Sequence, residues 1–231
     1  MVIRKRVKRH TIGRINSVNN WTNALAGTPC FVIGNGLSLN RQDIKLLSSY
    51  FTIGINRIFY KLDPTILIFQ DMQLWHSDKH NILKTHALKY CRDKSDIQGR
   101  FYHFRLMTGE YSLPENPSVL KGRGSTGPLA FQLAYLLGCD PIILIAMDCC
   151  YEEGKTDFYG VNPMHKPHTL RNCVKGLEWI RDCKCGRKVV NCSDNKVFEK
   201  CYTIEETITQ IYDIAPINRE VVVKKILRHN Q

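Results

Sequence analysis

Four polar clusters in this chain each follow an apolar run, and their residue types suit a phosphorylated ligand. Gly34-Asn35-Gly36-Leu37-Ser38 follows the run at residues 29–33, and Asn56 follows residues 51–55. Asp71 stands just past residues 65–69, and Asp148 follows residues 142–147. Glycines after a strand let a phosphate or ribose approach the backbone, and a helix N-terminus favours its negative charge. Asparagine offers both a donor and an acceptor to a base or ribose. A carboxylate at a strand end can hold a hydroxyl, an amine or a metal. Ser125, Thr126 and Gly127 precede Pro128 at the start of an apolar helical run, so they mark a helix N-terminus. Singly, each cluster is a weak signal, and a lone G-N-G is more often just a turn. Their joint placement at successive strand ends points to one ligand site, because open parallel α/β sheets bind ligands beyond the carboxyl ends of their strands. The pattern is neither the G-x-x-x-x-G-K-[ST] phosphate loop nor a full G-x-G-x-x-G dinucleotide fingerprint.

The elements that must carry these clusters are short apolar runs rather than alternating ones. Strands buried on both faces of a parallel sheet read this way. Residues 29–33, 51–55, 65–69, 142–147 and 188–191 are the predicted strands. Helices are predicted at 21–25, 44–47, 129–137 (closed by Gly138), 174–182, 203–212 and 219–228. The stretch 72–118 is polar and poorly patterned, and it reads as a helical excursion plus a lid-like loop ending at Pro114 and Pro117. The predicted fold is a Rossmann-like α/β domain with a mostly parallel sheet flanked by helices. Residues 1–20 read as a basic, flexible tail. Residues 21–200 read as the nucleotide-binding domain with its insertion, and residues 201–231 as a C-terminal helical segment.

The 231 residues suit one such domain, and a hydrophobic share of 43% supplies an ordinary core. No run reaches the roughly 18–20 apolar residues that a membrane span needs. The basic start, Met1 to His10, leads into no apolar stretch, so the reading is a cytoplasmic protein with an optional peripheral place at a membrane. A net charge of +12 attracts polyanions: nucleic acid, anionic lipid or a phosphorylated substrate. The ten cysteines contain no paired C-x-x-C knuckles; the closest grouping is Cys183 and Cys185 with Cys192 beyond. They read as free thiols, with no metal site, and the vicinal pair Cys149-Cys150 reads as packing.

Gly34-Asn35-Gly36-Leu37-Ser38-Leu39 resembles the G-N-G-P-S-L motif of bacterial sialyltransferases of the Campylobacter type. The Maf flagellin-glycosylation proteins and the archaeal hydroxymethylpterin diphosphokinase-like proteins share that motif. Thr126-Gly127, Leu137-Gly138 and Asp148 are similar in spacing to the family's turn, helix end and strand end, and Asn56 matches an asparagine after the second strand. In the sialyltransferases a histidine lies nine residues before an L-E-aromatic run. His168 stands nine residues before Leu177-Glu178-Trp179. The resemblance implies His168 as the general base for an acceptor hydroxyl, a role that suits a residue type mostly neutral at pH 7. His165 is the rival. The chain departs from the pattern at Leu37, where the motif has proline, and at Cys149-Cys150, where the family has an aromatic pair. In that family tyrosines steady the departing phosphate without a metal, which implies Tyr151 and Tyr159 here. Family members often assemble, so a homo-oligomer is implied too.

Three functions remain open on these residues. One is a glycosyltransferase using a nucleotide-sugar, with a CMP-sugar favoured, no cofactor, and an anionic acceptor such as nucleic acid or a lipid-linked glycan. Its donor site would be Gly34, Asn35, Gly36, Ser38, Asn56, Asp71, Ser125, Thr126, Gly127 and Asp148. Another is a magnesium-dependent diphosphokinase with Asp71 and Asp148 as metal ligands. The third is a non-catalytic nucleic-acid-binding protein on a degenerate transferase fold.

Overall fold

The computed structural model describes Val18, Ile97 and residues 21–93, 101–162 and 167–228. Its centre is an eight-stranded sheet, ordered β6-β5-β4-β3-β2-β1-β7-β8, in which every pairing is parallel. The strands are β1 (Cys30–Ile33), β2 (Thr52–Ile55), β3 (Ile66–Phe69), β4 (Leu88–Arg92), β5 (Tyr102–Thr108), β6 (Val119–Gly122), β7 (Ile142–Ile145) and β8 (Val189–Cys192). The chain walks outward from β1 to β6. It then crosses back through helix α2 (Thr126–Leu136) to lay β7 on the free side of β1. Helix α1 (Met72–Lys84) follows β3, and α3 (Pro167–Asp182) joins β7 to β8. After β8 come the short α4 (Ile204–Glu206), a π turn at Thr207–Ile211, and α5 (Arg219–Arg228).

The inner strands are apolar throughout because both faces of the sheet are covered. In β1, Cys30 and Val32 enter one core with α2, α3 and α5, while Phe31 and Ile33 enter the other with α1 and α4. Ten of the eleven residues of α2 are buried, so it is a core helix rather than an amphipathic surface helix with one apolar face. Its Gln132 is fully buried and polar, and its partners explain it. The amide accepts from Lys121 N–H at 3.0 Å and donates to Lys121 C=O at 2.6 Å. Lys121 lies in β6, an outermost strand of the sheet, so one side-chain amide takes the place of a missing neighbouring strand.

The segment 72–118 departs from its reading as an excursion and lid. It contains α1 and two strands of the sheet, β4 and β5, and leads directly into a third, β6. The burial of β5 alternates at its start, with Tyr102 and Phe104 inside and His103 and Arg105 less so. A half-covered strand mixes polar and apolar residues, and that mixture hid the outer sheet from a search for continuous apolar runs. Two predicted helices are tighter forms: residues 44–47 fall in a 3₁₀ helix, Ile44–Ser49, and residues 21–25 form turns. The predicted basic tail lies outside the described residues apart from Val18, which is buried. The C-terminal helical segment joins the same core, since Val222 and Ile226 of α5 are fully buried in it.

Helix α3 packs on α2 where Gly176 meets Pro128. A Cβ at Gly176 would stand 2.2 Å from Pro128 Cγ. Alanine is the better helix former by about 1 kcal/mol, but overpacking against a rigid ring costs about 1–3 kcal/mol. Gly176→Ala is therefore expected to destabilise the fold by up to about 2 kcal/mol, measured by urea unfolding. Replacing Gln132 with leucine leaves two backbone groups of Lys121 unpaired, and a loss of about 2–4 kcal/mol is expected at unchanged m-value. A leucine variant as stable as the parent would refute the role given to Gln132.

Candidate active site

The strand order reverses direction between β1 and β7, and a crevice opens at such a switch point beyond the strand ends. Here the crevice is a cavity of about 920 Å³. Its walls are the loop after β1, the turn after β2, the start of α1, the N-terminus of α2, the loop after β7 and the first turns of α3.

The floor is built by closing β1 onto β7. Gly34 N–H donates to Ile145 C=O at 2.7 Å, and Gly36 N–H donates to Ala146 C=O at 2.9 Å. A Cβ on Gly34 would lie 2.2 Å from the Ala146 oxygen, and one on Gly36 would lie 2.2 Å from Asp148 Oδ2. The two glycines are thus required by the loop after β7, where the sequence reading had assigned them to the approach of a phosphate or ribose. Asp148 is buried. It accepts from Ser38 N–H at 2.8 Å, from Ser38 Oγ at 2.6 Å and from Asp194 N–H at 3.2 Å. Burial raises its pKa from the ordinary carboxylate value, although the bonds from Ser38 and Asp194 oppose the shift. Ser38 itself stands behind the cavity wall, and its contribution is this clasp.

The asparagines sit as the strand-end rule placed them. Asn35 donates from Nδ2 to Ile55 C=O at 2.9 Å, which ties the ends of β1 and β2. Its Oδ1 and that of Asn56 are buried without a hydrogen-bond partner among the described residues. Buried polar atoms in native folds are rarely left so, and both residues line the cavity. Asn56, Ala146 and Cys149, all cavity-lining, hold positive φ values of 50°, 49° and 55°. Non-glycine residues in that region collect at ligand sites, where the surrounding fold imposes them.

Ser125 occupies the N-cap of α2 without a side-chain capping bond, so the first N–H groups of that helix are not met by its own cap. Gln70, passed over as a site residue in the sequence reading, positions this turn. Its amide donates to the Gly124 carbonyl and to Thr126 Oγ1. Asp71 is the N-cap residue of α1 and lines the cavity.

The two tyrosines part company. Tyr159 lines the cavity, receives Asn162 Nδ2 on its hydroxyl at 3.0 Å and lies 5.4 Å from the Arg57 guanidinium carbon, centroid to atom. Burial, reinforced by nearby Asp157, pushes its phenol up to about 12. Tyr151 is outside the cavity and 47% exposed. The loop between them is pinned by Phe158 N–H donating to Asn35 C=O at 2.8 Å, which turns Tyr159 toward the site. His168 also lines the cavity, from the first turn of α3 rather than from a loop. Pro167 favours a helix start there, seven residues before the predicted one. His165 lies outside the described residues. Among the described residues no group of three or more His, Cys, Asp or Glu could hold a metal ion, and no helix is long and apolar enough to cross a membrane.

No protein family's sequence profile matches the chain, and no curated protein sequence does. A comparison with solved structures does find similar chains. The Maf glycosyltransferase from Magnetospirillum magneticum AMB-1 superposes with a TM-score of 0.59 at 14% identity, over 90% of this chain and 38% of that one. The chain thus spans well under half the length of that protein. The sialyltransferase CstII from Campylobacter jejuni in complex with cytidine-5'-monophosphate gives 0.43 at 15% identity, over 83% and 85% of the two chains. The sialyltransferase CST-II with a trisaccharide acceptor and CMP gives 0.41 at 14% identity, over 82% and 85%. The Maf match establishes a common fold: this chain is built on the same Rossmann-like α/β scaffold as that glycosyltransferase structure.

Proposed function

We propose that the chain is a transferase that takes a nucleotide-activated sugar, a CMP-sugar foremost, and passes the sugar to an acceptor hydroxyl. The observation that carries this reading is the single cavity at the β1/β7 switch point. It brings together the open N-terminus of α2, the unpartnered amide oxygens of Asn35 and Asn56, and His168. The amides would read the base or ribose, with the amino group of cytosine a fitting donor to an orphan oxygen. The phosphate would sit at Ser125, Thr126 and Gly127, where N–H groups and the helix dipole favour an anion.

In the proposed reaction the bond between the anomeric carbon and the phosphate oxygen breaks, and its electron pair goes to that oxygen. The acceptor oxygen bonds to the anomeric carbon, and its proton goes to His168. Tyr159, with its pKa raised to about 12, keeps its proton at neutral pH and can donate a hydrogen bond to the leaving phosphate. Diphosphoryl transfer is less well supported, because Asp148 already accepts three hydrogen bonds from the protein. The net charge of +12 suits an anionic acceptor, whether nucleic acid or a lipid-linked glycan.

Melting curves with CMP, CDP, UDP, GDP, ATP and AMP, each with and without magnesium, test the donor. A cytidine nucleotide at about 100 times its Kd is expected to add roughly 2.7 kcal/mol without magnesium. Stabilisation by ATP alone, and only with magnesium, would instead favour the diphosphokinase. His168→Ala is expected to keep that nucleotide stabilisation and to lower turnover of a CMP-sugar about 10²–10⁴-fold. Undiminished turnover in the alanine variant would remove His168 from the mechanism.

A further inference from the structure

The proposed chemistry leaves a deficit. The resemblance implied two tyrosines at the departing phosphate, and only Tyr159 reaches the cavity, since Tyr151 lies outside it and is 47% exposed. One phenol is a modest counterpart for a phosphate that gains negative charge as the bond breaks. Among the described residues that line the cavity, Arg57 is the one lysine or arginine.

We infer that Arg57 is a catalytic residue of this site, whose guanidinium, set beside Tyr159 and oriented by Asp78, meets the charge that builds on the departing phosphate. The inference rests on the transferase reading above. Arg57 follows Asn56 in the 3₁₀ turn Asn56–Tyr60, so the strand end that supplies an amide also supplies the cation. Its Nε donates to Asp78 Oδ2 at 3.1 Å, and its Nη2 donates to Asp78 Oδ2 at 2.9 Å and Ser77 Oγ at 3.0 Å. A guanidinium has five N–H groups, so these bonds leave the Nη1 pair for Tyr159 and a ligand oxygen. The side chain is 23% exposed and that of Asp78 is 7% exposed, so the pair is largely shielded from water.

Asp78 is built as an anchor. On α1, at the cavity's edge, it also accepts from Ser77 Oγ at 2.6 Å and from the Tyr60 hydroxyl. Burial works against its charge, but the bonds from Ser77 and Tyr60 and the Arg57 cation outweigh it, and its pKa falls below the usual value. The carboxylate therefore stays ionised and holds the guanidinium plane fixed. A fixed fork of N–H donors costs little reorganisation when charge develops, which is how preorganised sites lower a barrier. Asp78 acts through Arg57 and is a positioning residue.

The test uses the full chain and calorimetric titration with CMP and with cytidine, then with the other nucleoside 5'-monophosphates and their nucleosides. The parent protein is expected to bind CMP more tightly than cytidine. Arg57→Gln is expected to lose about 10- to 100-fold in CMP affinity, the usual worth of a charge-assisted contact, while cytidine affinity stays put. Arg57→Lys should recover part of the loss, because it restores the charge without the fork. Asp78→Asn should lower the CMP-to-cytidine ratio in the same direction by less. With a CMP-sugar donor, kcat should fall further than KM rises in Arg57→Gln. An unchanged ratio in Arg57→Gln would overturn the inference and leave the transferase reading intact. So would an equal loss of both ligands, which marks a merely structural residue. A parent protein that binds no nucleotide would overturn both. If Arg57→Gln fails to melt cooperatively, Arg57→Lys alone decides, since it should still show a reduced ratio.

Discussion

A single buried carboxylate joins three strand ends. Asp148 stands after β7, Ser38 after β1 and Asp194 after β8, and the carboxylate collects hydrogen bonds from both partners. Its desolvation is costly, and its pKa is raised accordingly, so it would be a poor choice as a freely exposed ligand group. As a clasp it is well used. It draws the loop after β1 against the loop after β7, and Gly34 and Gly36 are the residues small enough to allow that approach. Ala146 and Cys149, in the loop that the clasp holds, take positive φ values. Every other part of the site is arranged around this joint: the asparagines beside it, α2 across from it, and α3 entering after the loop that it steadies.

Helix α2 is the second support. Because nearly all of it is buried, its N-terminus has little freedom to move relative to the sheet. Two glutamines secure it: Gln132 to the backbone of β6, and Gln70 across the loop before Thr126. The C-terminal end is capped from outside, since the N–H groups of Asn23, Leu25 and Gly27 donate to the carbonyls of Leu136, Leu137 and Gly138. A ligand anion at Ser125–Gly127 would thus meet donors fixed by the core and not by a loop. That is the arrangement in which backbone dipoles bind most effectively.

How far the sequence could be read depended on burial. Strands β1, β2, β3 and β7 were visible because full burial makes them continuous apolar runs. The outer strands β4, β5 and β6 were not, because a partly covered sheet tolerates Lys89, Arg92, His103 and Arg105 within it. The same logic governed the site. Gly34, Asn35, Gly36, Asn56, Asp71 and Asp148 were legible as strand-end positions, and the structure lines the cavity with all six. Arg57 and Gln70 each sit one residue from a chosen position. Their roles depend on a 3₁₀ turn and on a bond to α2, neither of which leaves a local signal. Asp78 depends on the rotation of α1 about its axis. Tyr151 and Tyr159 could not be separated by spacing, because the choice is made by the Phe158–Asn35 hydrogen bond and the narrow bridge between Asp157 and Gly160.

The strand order carries a consequence for how the chain is made. β1 finds β2 within some twenty residues, but its other edge pairs only with β7, and the Ser38–Asp148 clasp spans 110 positions. A strand that is apolar on both faces therefore emerges before β7 in synthesis with one edge bare, and long-range closure of this kind is slow and exposed to aggregation. The cavity has no existence before that closure. During biosynthesis the cavity and protection of the β1 edge arrive in the same event, and a chain stalled before β7 would have neither.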